Sequence, residues 1–265
     1  MFLAPFEQVW QGAAMRRFLS WPATILFAVF FGLILGTFDV LLRLATPFGQ
    51  RAVEYVGLAL QTTLVWSYRL AGIRPDLERS KGIEPRTSYI VVSNHQSMFD
   101  IPLFAWAMPT NFPKYISKRS LGSWIPAVSY NLRRGGHALI DREDREGSVA
   151  AISRLARAVV ANRSSAVIFP EGTRARDGTI SPFKTAGTLA LLAEAPDVPV
   201  VPVCIDNSWQ IMRHGMKPIP FGIHLRMWIG DPIERRPGED PRALLVEVER
   251  RIHETLARFR GDRSA

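Results

Sequence analysis

Two apolar segments dominate the first quarter of the chain. Residues 18–38 contain no charged residue and are apolar on every face of a helix, over roughly the 20 residues that a membrane-spanning helix needs. A second apolar segment, residues 55–68, is shorter. Residues 43–51, between the two, contain proline and glycine and are typical of a turn. The pattern therefore predicts an N-terminal two-helix hairpin within residues 1–72.

This hairpin is expected to associate with a lipid bilayer. If both helices crossed the bilayer fully, Arg43 and Arg51 would lie on its far side, against the tendency of Lys and Arg to stay on the cytoplasmic side. A hairpin inserted into one leaflet avoids that placement and is the favoured interpretation. A single span by the first helix is the close alternative.

From residue 73 onward, short apolar runs alternate with longer amphipathic segments. The runs typical of strands are residues 89–93, 115–117, 137–140, 166–169, 200–205 and 223–229. The segments typical of helices are residues 101–107, 147–161, 185–195 and 241–259. The last helix carries one apolar stripe, formed by Leu244, Leu245, Val248, Ile252, Leu256 and Phe259.

Strands that alternate with helices predict an α/β fold, with a mixed, largely parallel sheet flanked by helices. The polar, proline-containing residues 72–87 are interpreted as the connection to this domain. The chain is therefore expected to divide into a membrane-anchoring hairpin, residues 1–72, and a catalytic domain, residues 73–265.

Charge narrows the classes of partner. The formal net charge is +9, which suits nucleic acid, an anionic membrane or an anionic substrate. The sequence contains no helix-turn-helix, zinc-finger or aromatic RNA-binding pattern, so no nucleic-acid partner is expected. The single cysteine, Cys204, lies in an apolar run and is interpreted as a core residue. One cysteine excludes an intramolecular disulfide, which fits a reducing compartment.

His95 is the main candidate for acid–base chemistry. It follows a strand candidate in a polar turn, and Asp100 lies five positions further along the chain. The two side chains can meet only if His95 lies in the turn and Asp100 follows as the next helix begins. A carboxylate that binds one ring nitrogen leaves the other free to accept a proton. A structural histidine that caps a helix is the alternative interpretation.

Residues 169–174, with the sequence Phe-Pro-Glu-Gly-Thr-Arg, form a candidate anion site after another strand candidate. The backbone N–H groups of Gly172 and Thr173 are expected to form a concave set of donors. The planar guanidinium group of Arg174 suits phosphate oxygens. In the alternative interpretation, Glu171 pairs with Arg174 in an ordinary turn.

Other cations are candidates for a second contact to a phosphate group. Lys118 and Arg142 each stand near a strand end, and Lys184 is a weaker candidate. Surface charge is the alternative for all three. The remaining histidines, which are interpreted as structural, are His137, His214, His224 and His253. No metal is expected, because no histidine, cysteine or carboxylate group has ligand spacing in the sequence.

Together these motifs resemble the glycerolipid acyltransferase family. A His-x4-Asp motif, a cationic block, a Phe-Pro-Glu-Gly-Thr-Arg block and an apolar block with a proline follow one another in the family's order. The blocks stand at residues 94–100, 118–142, 169–174 and 200–203. The N-terminal hairpin is also similar to that of bacterial members.

The resemblance implies a role for each site residue. His95 would take the proton of an acceptor hydroxyl group as that group attacks an acyl thioester, and Asp100 would orient the imidazole ring. Residues 171–174 would bind the acceptor's phosphate together with Arg142. Lys118 would assist either the phosphate or the developing oxyanion. The residues implied to bind substrate are therefore Lys118, Arg142, Glu171, Gly172, Thr173 and Arg174.

The resemblance also implies the reaction. An acyl chain would pass from acyl-CoA or acyl carrier protein to the sn-2 hydroxyl group of 1-acyl-sn-glycerol-3-phosphate, giving phosphatidic acid without a cofactor. The enzyme would lie at the inner membrane of the cell, with its catalytic domain facing the cytoplasm. Another lysolipid acceptor, such as a lyso-ornithine lipid, is the first alternative. A non-catalytic membrane-binding protein is less favoured, because a base, its orienting acid and an anion turn occur together.

Overall fold

The computed structural model describes residues 4–141, 143–236 and 238–261, with the side chains of residue 15 and of residues 17 onward. The helices and strands in chain order are α1 (Ala4–Ala45), α2 (Gln50–Ser67), β1 (Arg74–Arg79), β2 (Ile90–Ser93), α3 (Ile101–Ala107), β3 (Pro113–Lys118), α4 (Val128–Arg134), β4 (Ala138–Ile140), α5 (Arg145–Asn162), β5 (Ser165–Ile168), α6 (Thr185–Glu194), β6 (Val200–Asp206), α7 (Trp209–Met212), β7 (His224–Ile229) and α8 (Pro241–Gly261).

Helices α1 and α2 form the predicted hairpin. Helix α1 has 42 residues, which corresponds to a length of about 63 Å. Gly49, with a φ of +90°, lies in the turn before α2 and adopts a backbone conformation that glycine reaches without steric cost. The segment Arg17–Phe48 is long and apolar enough to cross a membrane. Its most apolar stretch of 18 residues has a mean hydropathy of 2.5, and 11% of that stretch is buried.

The hairpin packs directly on the rest of the chain. Apolar residues of both helices form a cluster around Leu42 and Leu60, which also includes Ala127 beyond the hairpin. Three backbone N–H groups donate to side chains of α1: that of Ile219 to Oγ1 of Thr24, at 2.9 Å, that of Phe221 to Oγ of Ser20, at 3.1 Å, and that of Ala127 to Oδ1 of Asp39, at 2.8 Å. The division into residues 1–72 and 73–265 stays a prediction.

The described strands form one seven-stranded sheet in the order β1-β7-β6-β2-β5-β3-β4. All neighbouring strands are parallel except β6 and β7, which are antiparallel. The predicted mixed, largely parallel sheet is therefore confirmed. After residue 73, the ends of the predicted strands and helices differ from the observed ones by at most about two residues. The hairpin helices extend further, since α1 covers much more than residues 18–38 and α2 begins before residue 55.

Strand β1, helix α4 and the short helix α7 are absent from the sequence prediction. Strand β1 lies inside residues 72–87, which the sequence indicates to be a connection, and it pairs only with β7 at the edge of the sheet. An edge strand has one side free of ladder hydrogen bonds, so it tolerates the polar, proline-containing sequence of β1. Helix α4 has only seven residues, too few for a clear helical period.

Side chains that alternate along the central strands build one core on each face of the sheet. Val91 and Val167 face the layer that contains α3 and the end of α2. Ile90 and Ile168 face the opposite layer, which contains α5, α6 and α8. The predicted apolar stripe of α8 is buried in that second core. The hairpin and α3 therefore share one layer, and the C-terminal helix belongs to the other.

The parallel strands bring the candidate residues to one edge of the sheet. Val92 pairs with Ile168, and Val167 pairs with Tyr115. His95 follows its paired position by three residues, and Lys118 likewise follows Tyr115 by three. The turn at residues 169–174 leaves β5 between them. The carboxyl ends of β2, β5 and β3 therefore define the edge at which the candidate site lies.

Candidate active site

The turn after β2 places His95 and Asp100 in contact. Ser97 caps a short helical turn over Met98–Asp100: its hydroxyl group accepts the N–H of Phe99, and Asp100 reaches back to the N–H of Ser97. This capping box returns the Asp100 carboxylate toward the strand end. Nδ1 of His95 lies 2.8 Å from Oδ2 of Asp100, so the spacing of five residues joins the two groups as the sequence predicts.

Asp100 is fully buried and serves as an acceptor for several donors. Its Oδ2 atom accepts the backbone N–H groups of Gln96, at 2.7 Å, and of Ser97, at 2.9 Å, in addition to Nδ1 of His95. A carboxylate can accept only from a protonated ring nitrogen. The neutral His95 ring therefore carries its proton on Nδ1 and presents Nε2 as the acceptor.

The ring of His95 is fixed by stacking as well as by its hydrogen bond. It lies on the ring of Phe169 with 4.1 Å between the ring centroids and 20° between the ring planes. The side chain keeps 17% of its surface exposed. Nε2 makes no hydrogen bond to any residue that the structure describes. A proton acceptor in a fixed orientation is thus open to an incoming molecule.

The backbone of His95 is held by the turn that follows β5. Its N–H group donates to Oε1 of Glu171 at 2.7 Å, and its carbonyl oxygen accepts the N–H of Ala175 at 2.8 Å. Oε2 of Glu171 accepts the N–H of Ser181 at 2.8 Å. One carboxylate therefore joins the His95 turn to both ends of the loop after β5.

The Glu171 side chain faces the interior and not the solvent. It is 1% exposed, and its two oxygens bind the backbone donors of His95 and Ser181. Burial raises the pKa of this carboxyl group, while the two backbone hydrogen bonds act in the opposite direction. The alternative in which Glu171 pairs with Arg174 is wrong, because both oxygens are bound to the backbone. A direct contact between Glu171 and substrate stays a prediction.

In the turn at residues 172–174, one of the two predicted backbone donors is already bound within the protein. The N–H group of Gly172 donates to the carbonyl oxygen of Phe169 at 3.0 Å, whereas the sequence predicts it as a donor to an anion; a contact between Gly172 and substrate stays a prediction. Its φ of +68° favours glycine at this position. Thr173 and Arg174 are exposed, and Nη1 of Arg174 lies 3.7 Å from Sδ of Met212.

The structure places further cations at the same edge. Lys118 ends β3 and is exposed. Lys184, the weaker candidate, lies against the turn, with Nζ 3.4 Å from the position that a Cβ atom on Gly172 would occupy. Arg142 lies outside the described residues. Among the described residues, no carboxylate forms an ion pair with Lys118, Lys184 or Arg174, so their charges are available to an anion.

Two residues with positioning roles were not singled out as site residues from the sequence. Asn94 bonds to β6 through both ends of its amide: Nδ2 donates to the carbonyl oxygen of Ile205, and Oδ1 accepts the N–H of the same residue, each at 2.8 Å. Phe169 supplies the surface on which His95 stacks. Each lies within two positions of a predicted site residue, but its partner is distant in the sequence and gives no local signal.

The histidine, its aspartate and the cations at the edge of an α/β sheet are the features expected of an acyltransferase. Residues 74–206, half of the chain, match the sequence model of the family described as Acyltransferase. The chain belongs to the acyltransferase family, and the resemblance stated from the motifs is confirmed.

Similar proteins carry a more specific name. The 1-acyl-sn-glycerol-3-phosphate acyltransferase of Limnanthes douglasii is 27% identical over 213 residues, which cover 80% of this chain and 72% of that protein. The proteins of the same name from Cocos nucifera and Salmonella typhimurium are each 32% identical over 52% of this chain. These two matches cover 44% and 55% of the respective relatives, so the chain spans about half of their length.

A solved structure has the same fold. The crystal structure of the 1-acyl-sn-glycerophosphate (LPA) acyltransferase from Thermotoga maritima superposes with a TM-score of 0.75 at 21% identity. The match covers 92% of this chain and 98% of the other. At this coverage the likeness extends over both the N-terminal hairpin and the sheet.

Proposed function

We propose that this chain transfers an acyl chain from a thioester to the sn-2 hydroxyl group of 1-acyl-sn-glycerol-3-phosphate, giving phosphatidic acid. The observation that carries the proposal is the orientation of His95. Its Nδ1 atom is bound to Asp100, while Nε2 has no hydrogen-bond partner among the described residues and the side chain is partly exposed. Exposed cations follow the neighbouring strands at the same edge of the sheet. The names of the similar proteins support this acceptor over other lysolipids.

In the proposed reaction, His95 acts as a general base and then as a general acid. Nε2 takes the proton of the sn-2 hydroxyl group as its oxygen attacks the thioester carbonyl carbon. Asp100 stabilises the resulting imidazolium ring. The tetrahedral intermediate collapses with cleavage of the C–S bond, and Nε2 returns the proton to the leaving sulfur. General base catalysis of this kind contributes about 10²–10⁴-fold.

The acceptor's phosphate is proposed to lie between the ends of β5 and β3. Arg174 and Lys118 are exposed there and without a carboxylate partner in the described part of the chain. Strand β3 lies two strand spacings from β2, about 10 Å. That separation favours Lys118 as a contact to the phosphate over a contact to the oxyanion at His95. Thr173, Gly172 and the predicted contact Arg142 belong to the same proposed subsite.

The donor and the location complete the proposal. Acyl-CoA or acyl carrier protein supplies the thioester, both being acidic and suited to a basic protein. No resident cofactor or metal takes part in the proposed steps. The hairpin anchors the enzyme in one leaflet of the inner membrane, with the catalytic domain on the cytoplasmic side. The exposed apolar surface of α1 supports an anchor of this kind.

Arg174→Ala tests the phosphate subsite. We expect the KM for lysophosphatidate to rise at least about 10-fold, because a desolvated Arg–phosphate pair is a charge-assisted, bidentate contact, while the KM for the thioester stays unchanged. Steady-state kinetics with each substrate varied in turn provide the measurement. Arg176→Ala is the matched control, since Arg176 is also exposed and only two positions away. An unchanged KM for lysophosphatidate would remove Arg174 from the subsite.

A panel of acceptors tests the identity of the substrate. Purified protein receives one thioester with a labelled acyl chain, together with lysophosphatidate, lysophosphatidylglycerol or a lyso-ornithine lipid. Lysophosphatidate should give the highest kcat/KM. A lyso-ornithine lipid with a higher value would overturn the proposed acceptor and leave the reaction class intact.

A further inference from the structure

Trp124 is the most exposed large apolar residue of the described chain. Its side chain keeps 98% of its surface accessible, whereas tryptophan is usually among the highly buried residues. Leu121, three positions earlier, is 42% exposed. Both belong to residues 119–126, called here the Trp124 loop, which follows β3 at the same edge of the sheet as His95.

The Trp124 loop is tied down on both sides of the tryptophan. The hydroxyl group of Ser129 donates to the carbonyl oxygen of Leu121 at 2.8 Å and accepts the N–H of Ile125 at 3.0 Å. The guanidinium group of Arg133 donates to the carbonyl oxygen of Gly122. Trp124 itself has a φ of +74°, a conformation that is uncommon for a non-glycine residue. The fold therefore holds the backbone on both sides of Trp124 in place and leaves its side chain exposed.

The loop continues the surface of the hairpin. Ala127, the residue after the loop, is fully buried and donates its N–H to Asp39 of α1. The three steps of chain from Trp124 to Ala127 span at most about 11 Å. Trp124 therefore lies within about 11 Å of the point at which Ala127 contacts α1. Beyond the loop, the hydroxyl group of Tyr130 lies 2.6 Å from Oγ1 of Thr46 at the tip of the hairpin.

The neighbouring part of the hairpin is also apolar and exposed. Leu44 is 62% exposed and Phe48 is 81% exposed, and both are close in sequence to the residues that contact Ala127 and Tyr130. Scattered exposed apolar residues are ordinary, but a group formed by two separate chain segments marks an interaction site. The Trp124 loop and the hairpin tip together form such a group.

The charge around the loop favours an anionic partner. Residues 101–140 contain no aspartate and no glutamate. Lys118 and Arg119 lie shortly before Leu121, and both are exposed, as are Arg133 and Arg134 of α4. An aromatic side chain flanked by Lys and Arg is the composition of a segment that sits at the interface of a bilayer with anionic lipids.

We propose that the Trp124 loop is a second membrane contact, in which Trp124 enters the interface of an anionic bilayer while Arg119 binds lipid phosphate groups. The contact holds the edge of the sheet that carries His95 against the membrane surface, independently of insertion of the hairpin. It rests on the proposed function in one respect only, namely that the acceptor lipid is drawn from that membrane.

Depth of the loop in the bilayer is the direct test. A Trp124→Cys variant is labelled with an environment-sensitive fluorophore and reconstituted into vesicles of phosphatidylcholine and phosphatidylglycerol. Cys204 is fully buried, so the introduced thiol is the reactive one. Val246→Cys is the matched control, because Val246 is 67% exposed on α8, in the opposite layer.

Two quenchers, aqueous iodide and nitroxide-labelled lipid, distinguish a probe in the bilayer from a probe in water. We expect the probe at position 124 to be shielded several-fold from aqueous iodide and to be quenched by nitroxide-labelled lipid, with the reverse for the probe at position 246. Equal access of iodide to both probes would overturn the proposal. Arg119→Glu should reduce the shielding at position 124 in these vesicles and leave it unchanged in vesicles of phosphatidylcholine alone.

An activity measurement separates this proposal from the proposed reaction. Trp124→Ala is compared with the wild-type protein on a short-chain lysophosphatidate in solution and on a long-chain acceptor in vesicles. We expect unchanged transfer to the soluble acceptor and about 10-fold slower transfer to the vesicle acceptor. Equal loss with both acceptors, or no loss with either, would contradict a membrane contact. No product from wild-type protein would refute the proposed reaction, while the quenching result would still stand.

Discussion

His95 is held by hydrogen bonds at its ring, its N–H group and its carbonyl oxygen, to Asp100, Glu171 and Ala175 respectively. None of these contacts needs a bound substrate. At the scale of single residues, the site is therefore preorganised, with one acceptor atom left open. Preorganisation of this kind reduces the entropy that must be lost when the reacting groups meet.

Glu171→Gln distinguishes a positioning residue from a binding residue. Glutamine keeps one acceptor oxygen but turns an N–H₂ group toward one of the two backbone donors of His95 and Ser181. We expect kcat to fall about 10-fold or more while the KM for lysophosphatidate stays constant, because the base is misplaced and the acceptor's contacts are intact. A raised KM at unchanged kcat would instead support the predicted contact between Glu171 and substrate.

His137 should make stability depend on pH. Burial, with a contribution from Lys114, lowers the pKa of His137 to about 3, and its Nδ1 atom accepts the N–H of Tyr115 at 3.1 Å. The unfolded chain, with the ordinary pKa of 6.5, binds the proton in the interval between these values. The free energy of unfolding should therefore decrease as pH falls from 6.5 toward 3, by at most about 1.4 kcal/mol per pH unit.

His137→Asn provides the measurement, since an amide oxygen can replace Nδ1 as the acceptor but does not titrate. The variant's Tm should decrease less than that of the wild-type protein over this pH interval. The same substitution at His253, which is exposed on α8, serves as the control. A Tm that follows the wild-type curve in the His137 variant would contradict this role of His137.

At the scale of elements, the hairpin and the His95 turn are in contact. The hydroxyl group of Tyr68, just after α2, donates to the carbonyl oxygen of Phe99 at 3.0 Å. The ring of Phe99 packs against Phe27 and Phe31 of α1, with 6.1 Å between centroids in both pairs. Phe99, which lies between Ser97 and Asp100, therefore contacts the hairpin through both its backbone and its side chain. A movement of the hairpin would therefore displace the turn that carries His95.

Tyr68→Phe tests this coupling. Removal of the hydroxyl group leaves a buried carbonyl oxygen without its donor, which costs about 1–3 kcal/mol, and we expect kcat to fall several-fold. Tyr89→Phe is the matched control, because Tyr89 is also buried and its hydroxyl group accepts the N–H of Glu84, away from the His95 turn. A similar loss of Tm in both variants with equal kcat would contradict the coupling.

Local sequence predicts some elements well and others poorly. The central strands are apolar on both faces, and the motif around His95 depends on residues within six positions, so both are visible in the sequence. Strand β1 is polar because it lies at an edge. The function of the Glu171 carboxylate depends on a partner 76 positions away, a distance at which periodicity and spacing carry no information.

At the scale of the whole molecule, the edge of the sheet that carries His95 is connected to the Trp124 loop, and the loop is connected to the hairpin. Asp39 of α1 binds the backbone of Ala127, and the loop begins directly after Lys118 of β3. The layer with α5, α6 and α8 lies on the other face of the sheet. This asymmetry fits the proposal that the acceptor comes from a bilayer, because only one side of the molecule would then face the lipid.

Asp100→Asn removes the acceptor that keeps the proton of the His95 ring on Nδ1, so this substitution should lower kcat by about 10²–10⁴-fold.

The most direct test of the proposed base is acyl transfer by the His95→Ala variant, measured with lysophosphatidate and a labelled thioester. We predict no detectable transfer by His95→Ala at an unchanged Tm. Wild-type rates in the His95→Ala variant would contradict the assignment of the base and with it the proposed mechanism.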